Sequence, residues 1–202
     1  MSNIVNLFPT AIGLYNFHRD FTQQEINFAK NLEKIENIGN KKSINNYVLN
    51  NVELFEIKKF LENSLEDYFK KIYVPRDNLQ LRITQSWVNY TENQEYHHKH
   101  NHPNSFISGV FYFQTNKQTD KIYFFDDTYR PFKIPAKEYN TYNSDNWWFE
   151  SVAGQLLLFP SKLTHLVEVR KESEFTRISL SFNTFFVGKL GDSEASTELI
   201  LQ

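Results

Sequence analysis

Residues 96–112 read Tyr-His-His-Lys-His-Asn-His-Pro-Asn-Ser-Phe-Ile-Ser-Gly-Val-Phe-Tyr, and this stretch decides the fold. It begins with four of the six histidines of the chain and turns directly into an apolar, aromatic and β-branched run. Side chains of an extended strand alternate between its two faces. The pattern therefore predicts His98, His100 and His102 on one face and His97 on the other, with His100 and His102 as neighbours.

His100 and His102 have the spacing of two metal ligands on one strand face. A third ligand must come from elsewhere, and His165, the only histidine after His102, opens a second alternating apolar run. Two ligands from one strand and one from a distant strand are typical of non-haem iron sites that keep positions open for oxygen and a co-substrate. The alternative is a solvated hairpin tip, with Lys99 and Asn101 exposed, that collects nickel or zinc by accident.

Composition indicates one sizeable domain with a large core. The 202 residues are 40% apolar and include 19 Phe, 11 Tyr and 3 Trp, a bias that favours sheet over helix. The net charge of −2 gives no sign of a nucleic-acid or membrane partner, and the oligomeric state stays open. The absence of cysteine excludes disulfides, thiolate metal sites and cysteine nucleophiles. With no secretory signal and no 18-residue apolar run, we expect a cytoplasmic protein.

Helical periodicity is confined to the N-terminal part of the chain. Thr22 or Asp20 is expected to cap a helix over 23–36, a polar loop follows at 39–46, and a second helix spans 52–72. A strand interrupted by Pro9 precedes them and is predicted to lie at a sheet edge. The two helices are expected to brace one face of a sheet.

The pattern changes to short β segments from residue 79 onward. Many short strands at regular intervals favour a mainly β sandwich or jelly roll with the helices on one side. We divide the single domain into an N-terminal part (1–78), a jelly-roll core (79–190) and a C-terminal tail (191–202), and residues 128–146 form the longest predicted loop. The predicted strands are 79–90, 96–102, 106–114, 121–125, 147–152, 155–159, 165–170 and 176–187.

Arg177 stands on a strand with one polar face and one apolar face. Arg177, Ser179 and Ser181 share one face, whereas the residues between them are apolar. An arginine inside a sheet is costly unless it meets an anion, and its planar fork matches a carboxylate that a nearby hydroxyl can share. The alternative is an arginine in solvent, paired with Glu168 or Glu174.

These motifs, in this order, resemble the iron(II)- and 2-oxoglutarate-dependent oxygenases that are common in cyanophages and marine bacteria. The resemblance covers nearly the whole chain, and the order and spacing of the motifs are more specific than any single one. The motifs are Leu7-Phe-Pro-Thr10, Trp87-Val-Asn89, His100-x-His102-Pro103, Ser108-Gly-Val-Phe-Tyr112, Phe159-Pro-Ser161, His165 and Arg177-x-Ser179-x-Ser181-Phe-Asn183.

The resemblance implies a double-stranded β-helix with Fe(II) at the mouth of its barrel. It implies His100, His102 and His165 as metal ligands, and Arg177 with Ser179 as the anchor for the distal carboxylate of 2-oxoglutarate. Oxygen, 2-oxoglutarate and an unknown substrate would be the partners in a hydroxylation that releases succinate and carbon dioxide. Two residues on flanking strands, Asn89 and Tyr112, are candidates for hydrogen bonds to the co-substrate or to metal-bound water.

One departure from the resembled superfamily concerns charge. Its members usually carry Asp or Glu at the position of His102, and a neutral ligand leaves the Fe(II) site one positive charge higher. This change should raise the redox potential and weaken iron retention at low pH. The alternative third ligand is Asp126 or Asp127, at the end of the 121–125 strand.

Two further classes of function compete with an oxygenase. The first is a cupin-like module that holds zinc, nickel or a small acid without turnover. The second is a structural jelly-roll protein of a phage whose histidines are incidental.

Overall fold

The computed structural model describes residues 3–76, 78–128, 131–171 and 173–202. Within these ranges two short 3-10 turns, Val48–Asn50 and Val52–Leu54, precede the longer helix. The elements in chain order are β1 (Gly13–Asn16), α1 (Gln23–Asn31), β2 (Lys34–Glu36), β3 (Lys41–Ser43), α2 (Phe55–Tyr73), β4 (Gln80–Thr91), β5 (His97–His100), β6 (Ile107–Gln114), β7 (Lys121–Phe125), β8 (Asn146–Glu150), β9 (Gln155–Pro160), β10 (His165–Val167), β11 (Arg177–Leu190) and β12 (Leu199–Leu201).

The strands form a large sheet and a small sheet. The large sheet has the order β1-β9-β6-β11-β4-β3-β2, with β12 paired to β11, and the small sheet has the order β5-β10-β7-β8. Every pair of these strands is antiparallel. The predicted mainly β fold with two N-terminal helices is confirmed, and the Pro9-containing segment leads into β1 at one edge of the large sheet.

Strand β11 separates the core from the polar interior of the barrel. Its residues Ile178, Leu180 and Phe182 are buried in the cluster that includes α2. The alternate residues Arg177 and Ser179 face the other side, toward the cavity between the sheets. The predicted division of this strand into an apolar face and a polar face therefore matches the structure, and it places the polar row inside the molecule.

Helix α1 begins where the sequence predicts and ends earlier. Thr22 accepts a hydrogen bond from the Glu25 N–H, and the Glu25 side chain accepts one from the Thr22 N–H, which makes a capping box. The predicted extension to residue 36 is wrong, because residues 34–36 pair with β3 instead. The predicted loop 39–46 likewise contains β3, which pairs with β4. Sheet pairing outweighs local helix propensity here.

Helix α2 packs a stripe of buried residues, including Ile57, Leu61 and Leu65, against the large sheet. It ends at Val74, whose φ of 44° lies in the left-handed region. Among the described residues, no helix combines the length and the apolar character that crossing a bilayer requires.

Two other predicted segments, the C-terminal tail and the longest loop, lie next to the ends of strands. The segment predicted as a tail, 191–202, contains β12, which extends the far end of β11 as a hairpin. The predicted 128–146 loop joins β7 to β8, and its residues 129 and 130 lie outside the described part of the chain.

A buried ion pair joins the residue before β7 to the segment after β10. Both side chains of the Asp120–Arg170 pair are buried, and Arg170 donates from Nε and Nη2 to the two carboxylate oxygens at 2.8 and 3.2 Å. Arg170 Nη1 also donates to the main-chain oxygens of Thr91 and Phe175. The main-chain oxygen of Asp120 accepts from Ser151 N, so the pair also positions the turn after β8.

Replacing Arg170 with Met should lower the free energy of unfolding by about 3–5 kcal/mol, because Asp120 would stay buried without its cation. Denaturant unfolding followed by circular dichroism measures the change, with the exposed Lys171→Met as control. The double variant Asp120→Leu/Arg170→Met should lose less than Arg170→Met alone. An Arg170→Met protein as stable as the control would contradict the prediction.

A second stability prediction concerns pH and the capping box. Burial by itself raises the pKa of Glu25, but hydrogen bonds from Arg19 and Thr22 outweigh it and hold that pKa below the ordinary value of 4.5. The ionised carboxylate therefore stabilises the fold above pH 4.5, and this contribution is lost as the pH falls through the lower folded pKa. Glu25→Gln should cost about 1 kcal/mol at neutral pH. The difference from wild type should shrink in acid, whereas Glu33→Gln should show no such trend.

Candidate active site

Three histidines converge where the small sheet meets the large one. His165 on β10 lies directly opposite His100 on β5, and their ring centroids are 4.4 Å apart. His102 follows the end of β5, where its N–H donates to the Ser161 main-chain oxygen. The ring of His102 lies 5.1 Å from those of His100 and His165. One nitrogen from each ring falls within 4.8 Å of the others, so the set has the arrangement of three metal ligands.

The Nδ1 atom of each ring lies within hydrogen-bond distance of an acceptor oxygen. His100 Nδ1 lies 2.7 Å from the main-chain oxygen of His98, and His165 Nδ1 lies 3.1 Å from that of Leu163. His102 Nδ1 lies 2.6 Å from Asn183 Oδ1. Because these oxygens accept, each Nδ1 carries the proton, and each Nε2 keeps its lone pair. This is the tautomer in which a histidine binds metal through Nε2.

The Nε2 atoms of His100 and His102 face each other without a proton between them. His100 Nε2 and His102 Nε2 are 3.1 Å apart. When both rings are neutral with Nδ1 protonated, both Nε2 atoms are acceptors, and two lone pairs at this distance repel each other. A cation that both nitrogens bind removes the repulsion. The donor set therefore fits a divalent metal ion, and imidazole nitrogen suits iron, nickel, copper and zinc.

Burial keeps these imidazoles neutral. The pKa of His102 falls to about 4, chiefly through burial and with a smaller contribution from His100, while the hydrogen bond to Asn183 opposes the shift. Burial lowers the pKa of His165 to about 3, and the neighbouring His100 and His102 add to the effect. The pKa of His100 is also lowered, again chiefly by burial. At neutral pH all three rings are in the form that binds metal.

His97 lies on the same side as His100, contrary to the prediction from alternation. His100 pairs with His165 and His97 pairs with Val167, so three steps on β5 match two steps on β10. The extra residue is a β-bulge, which shifts the alternation by one. His97 therefore lines the cavity with the three other histidines, and its ring stacks on that of His100 at 4.6 Å.

Neither alternative carboxylate ligand belongs to the histidine set. Asp126 Oδ1 accepts hydrogen bonds from the main-chain N–H and the hydroxyl of Thr128. Asp127 lies 3.4 Å from Lys99 Nζ in an exposed ion pair. Within the described residues, the groups with metal-ligand spacing consist of histidines alone.

The residues predicted to meet the co-substrate form a row across the large sheet. Ser179 on the central strand β11 has Asn89 of β4 as its partner on one side and Tyr112 of β6 on the other. Asn89 donates from Nδ2 to Ser181 Oγ at 3.0 Å. The Asn89, Tyr112 and Ser179 side chains are all buried, and Arg177 lies two residues from Ser179 on the same face.

Arg177 is a buried cation whose counter-ion is not among the described carboxylates. Arg177 is 2% exposed. Its Nη2 donates a hydrogen bond to Ser151 Oγ at 3.2 Å, and its Cζ lies 5.3 Å from the centre of the Tyr112 ring. The expected alternative, pairing with Glu168 or Glu174, does not occur among the ion pairs of the described residues. A guanidinium in this position fits an anionic ligand.

Three polar atoms in this row have no hydrogen-bond partner within the described chain: Arg177 Nε, the Tyr112 hydroxyl and Asn89 Oδ1. Buried polar groups without partners are costly, so they mark places where a ligand or water binds. Arg177 Nε and the Tyr112 hydroxyl are donors that suit a carboxylate. Burial raises the pKa of Tyr112, which keeps its hydroxyl protonated as a donor.

The cavity that joins these residues is small. Its volume is about 20 Å³, and its walls include four histidines, Arg177 and Ser179. A larger groove of about 830 Å³ lies elsewhere, between α2 and the start of β4, where Glu62, Lys70 and Arg82 are among its lining residues. No histidine lines the larger groove. The chemistry therefore belongs to the small cavity, despite its size.

Sequence reasoning missed the residues that hold the site in place. Asn183 and Ser108 both contact His102 Nδ1, and Ser108 Oγ also lies 2.8 Å from Ser161 Oγ. Ser151 orients Arg177. Asn183, Ser108 and Ser161 occur in the motifs quoted above, but a role for them needs the strand register, which pairs Asn183 with Ser108.

Replacing Asn183 with Leu should weaken Ni(II) binding about 10–100-fold, because His102 loses the acceptor that fixes its tautomer and ring orientation. Isothermal titration calorimetry of the metal-free protein measures the affinity. Asn63→Leu, on the exposed face of α2, is the matched control. Equal affinities in the two variants would contradict the assigned role of Asn183.

One family model matches the part of the chain that carries this site. Residues 85–183 match the family model described as "Putative 2OG-Fe(II) oxygenase". The matched segment runs from β4 to β11 and contains the three converging histidines, Arg177 and Ser179. None of the curated proteins matches the sequence.

Several solved structures share the fold at low sequence identity. SnoN, an α-ketoglutarate-dependent epimerase from nogalamycin biosynthesis, has a TM-score of 0.60 and 11% identity over 87% of this chain and 78% of its own. HygX from Streptomyces hygroscopicus, solved with nickel, 2-oxoglutarate and hygromycin B, has a TM-score of 0.58 and 10% identity over 87% and 82%. A prolyl-4-hydroxylase from Pseudomonas putida has a TM-score of 0.53 and 11% identity over 88% and 92%.

These likenesses confirm the predicted double-stranded β-helix. The family model adds the chemical class, whose cofactor is Fe(II) and whose co-substrate is 2-oxoglutarate. The segment that carries the candidate active site, residues 85–183, is therefore similar to the 2OG-Fe(II) oxygenase family of enzymes.

Proposed function

We propose that this protein hydroxylates a substrate, for example a protein side chain, in a reaction that depends on Fe(II) and 2-oxoglutarate. One atom of O2 enters succinate as 2-oxoglutarate loses carbon dioxide, and the other enters the new hydroxyl group of the substrate. We place the reaction in the cytoplasm, which is that of the host if a phage encodes the protein, as the resemblance to cyanophage and marine proteins suggests.

His100, His102 and His165 are the proposed metal ligands. One nitrogen of each ring lies within 4.8 Å of the others, and their Nδ1 atoms are held by acceptors from three different parts of the chain. When bound, Fe(II) supplies the redox chemistry that couples oxygen to the decarboxylation of the 2-oxo acid. The protein's own part is to hold three neutral rings in one tautomer and to leave the remaining coordination positions free of side chains.

Arg177 is the proposed anchor for the distal carboxylate of 2-oxoglutarate. Its guanidinium is buried in the same cavity as the three histidines, and the Tyr112 hydroxyl and Ser179 lie beside it. Because Arg177 Nε and the Tyr112 hydroxyl lack partners, a carboxylate there would gain two hydrogen bonds and neutralise the buried charge. The anchor orients the co-substrate so that its other end faces the metal.

The co-substrate is larger than the cavity of about 20 Å³, so its walls must move to admit it. His97 is the wall residue best suited to move, since its ring forms no side-chain hydrogen bond among the described residues and is held by ring contacts with His100 and His98. Rotation of this ring would open the space between the histidines and Arg177.

A single observation carries the oxygenase proposal over its competitors. One cavity contains both a converging histidine triad and a buried arginine that lacks a carboxylate partner among the described residues. A module that only binds metal has no need of the arginine, and a structural jelly roll has no need of either. Because it contains both the histidine triad and Arg177, the cavity suits a metal ion and a dicarboxylate together.

Anaerobic addition of Fe(II) and then 2-oxoglutarate should produce a visible metal-to-ligand charge-transfer band. The band should vanish in His165→Ala, which lacks a metal ligand. In Arg177→Ala it should need a 2-oxoglutarate concentration about 10–100-fold higher, since a buried charge-assisted hydrogen bond contributes about 1.5–3 kcal/mol.

Arg82→Ala, an exposed arginine at the start of β4, is the matched control and should behave as wild type. Absence of the band in the wild type would overturn the oxygenase proposal. A band without any succinate after exposure to oxygen and candidate substrates would instead favour the cupin-like binding module.

A further inference from the structure

A second group of histidines lies against the first. The bulge in β5 brings His97 onto the side of His100, and their rings stack at 4.6 Å with an angle of 24°. The ring of His98 lies 4.7 Å from that of His100 and 5.4 Å from that of His97. One nitrogen from each of these three rings falls within 4.8 Å of the others, as is also true of the proposed catalytic triad.

The available nitrogens of this group are those that metals bind. His98 Nδ1 lies 3.4 Å from the main-chain oxygen of Ile38, which leaves His98 Nε2 as the inner atom. His100 Nδ1 is occupied by the His98 main-chain oxygen, which leaves its Nε2. His97 forms no side-chain hydrogen bond among the described residues, although it lines the cavity. All three rings are partly buried rather than fully exposed.

Lys99, which lies between His98 and His100 in the sequence, does not compete with a metal ion for the position among the three histidine rings. Lys99 Nζ lies 4.1 Å from the centre of the Phe125 ring and 3.4 Å from Asp127 Oδ1. Its ammonium group is therefore engaged with β7 and the residues that follow it. The three histidine rings therefore lie together, whereas the Lys99 side chain between them in the sequence contacts Asp127 and Phe125.

We propose that His97, His98 and His100 form a second binding site for a divalent transition metal, which exchanges its ion with the catalytic triad through His100. The Nε2 of His100 has one lone pair, so the two sites cannot be filled through it at once. An ion bound by the outer group reaches the inner one by leaving His97 and His98 and taking His102 and His165, while His100 stays bound and its ring turns toward the triad, into the orientation in which its Nδ1 donates to the His98 main-chain oxygen. Neutral imidazole sites of this kind accept Ni(II), Co(II), Cu(II) and Zn(II) as well as Fe(II).

Binding at the outer group is independent of the proposed function, whereas the exchange step rests on it. The test of binding therefore removes the inner site first. In the double variant His102→Ala/His165→Ala, Ni(II) titrated by isothermal calorimetry at neutral pH should bind in one equivalent. Adding His98→Ala should abolish this binding, and adding His18→Ala, the exposed histidine before α1, should leave it unchanged.

Either of two results would overturn the proposed site. One is the absence of Ni(II) binding by the double variant, provided that it still unfolds cooperatively. The other is binding that persists after His98→Ala. If the alanine pair does not fold, His102→Gln/His165→Gln keeps more of the side-chain volume and serves as the same background. Failure of the oxygenase proposal would leave these titrations unaffected, because they contain no 2-oxoglutarate and no intact triad.

The exchange step is tested in the otherwise unchanged protein. Stopped-flow uptake of Co(II), followed by its visible absorption, should be slower in His98→Ala than in His18→Ala, with equal final affinity for the catalytic triad. Equal rates in the two variants would overturn the exchange role. A loss of final affinity in His98→Ala would also overturn it, because His98 would then act on the triad itself.

Discussion

Two imidazole lone pairs that face each other across 3.1 Å are the constraint on which this site depends. His100 and His102 are held in that position from outside, by the His98 main-chain oxygen and by Asn183. Neither ring can turn to relieve the repulsion without losing a buried hydrogen bond, which costs about 1–3 kcal/mol. The strain is small compared with the free energy of binding a metal ion, so the fold keeps the site ready for the ion at little cost.

The charges of the site explain why metal and co-substrate should depend on each other. Three neutral ligands leave the full charge of a divalent ion uncompensated, and Arg177 adds a further buried positive charge. The carboxylates of 2-oxoglutarate are the natural counter-ions for both, since the described residues place no carboxylate among the three histidines. Each ligand then favours the binding of the other by the same factor, as linkage requires.

The sequence predicted correctly which face of a strand each side chain lies on, wherever the alternation between the two faces was unbroken. On β11 it separated Arg177 and Ser179 from the apolar core residues, and the His100-x-His102 spacing placed two rings together. It misplaced His97 because a bulge adds one residue, and nothing in the local sequence marks where the register shifts. It also missed β2, β3 and β12, which are strands of three residues formed by pairing with neighbouring strands rather than by local propensity.

The buried Asp120–Arg170 pair connects the stability of the barrel to the position of the anchor. Asp120 holds the N–H of Ser151 through its main-chain oxygen, and the Ser151 hydroxyl accepts from Arg177 Nη2. A change that loosens the ion pair therefore moves the group that orients Arg177, at a distance from the histidines. The proposed metal ligands and the proposed carboxylate anchor are consequently held by different residues, Asn183 with Ser108 for the first and Asp120 with Ser151 for the second. The two supports meet at β11, which carries both Arg177 and Asn183 on its inner face.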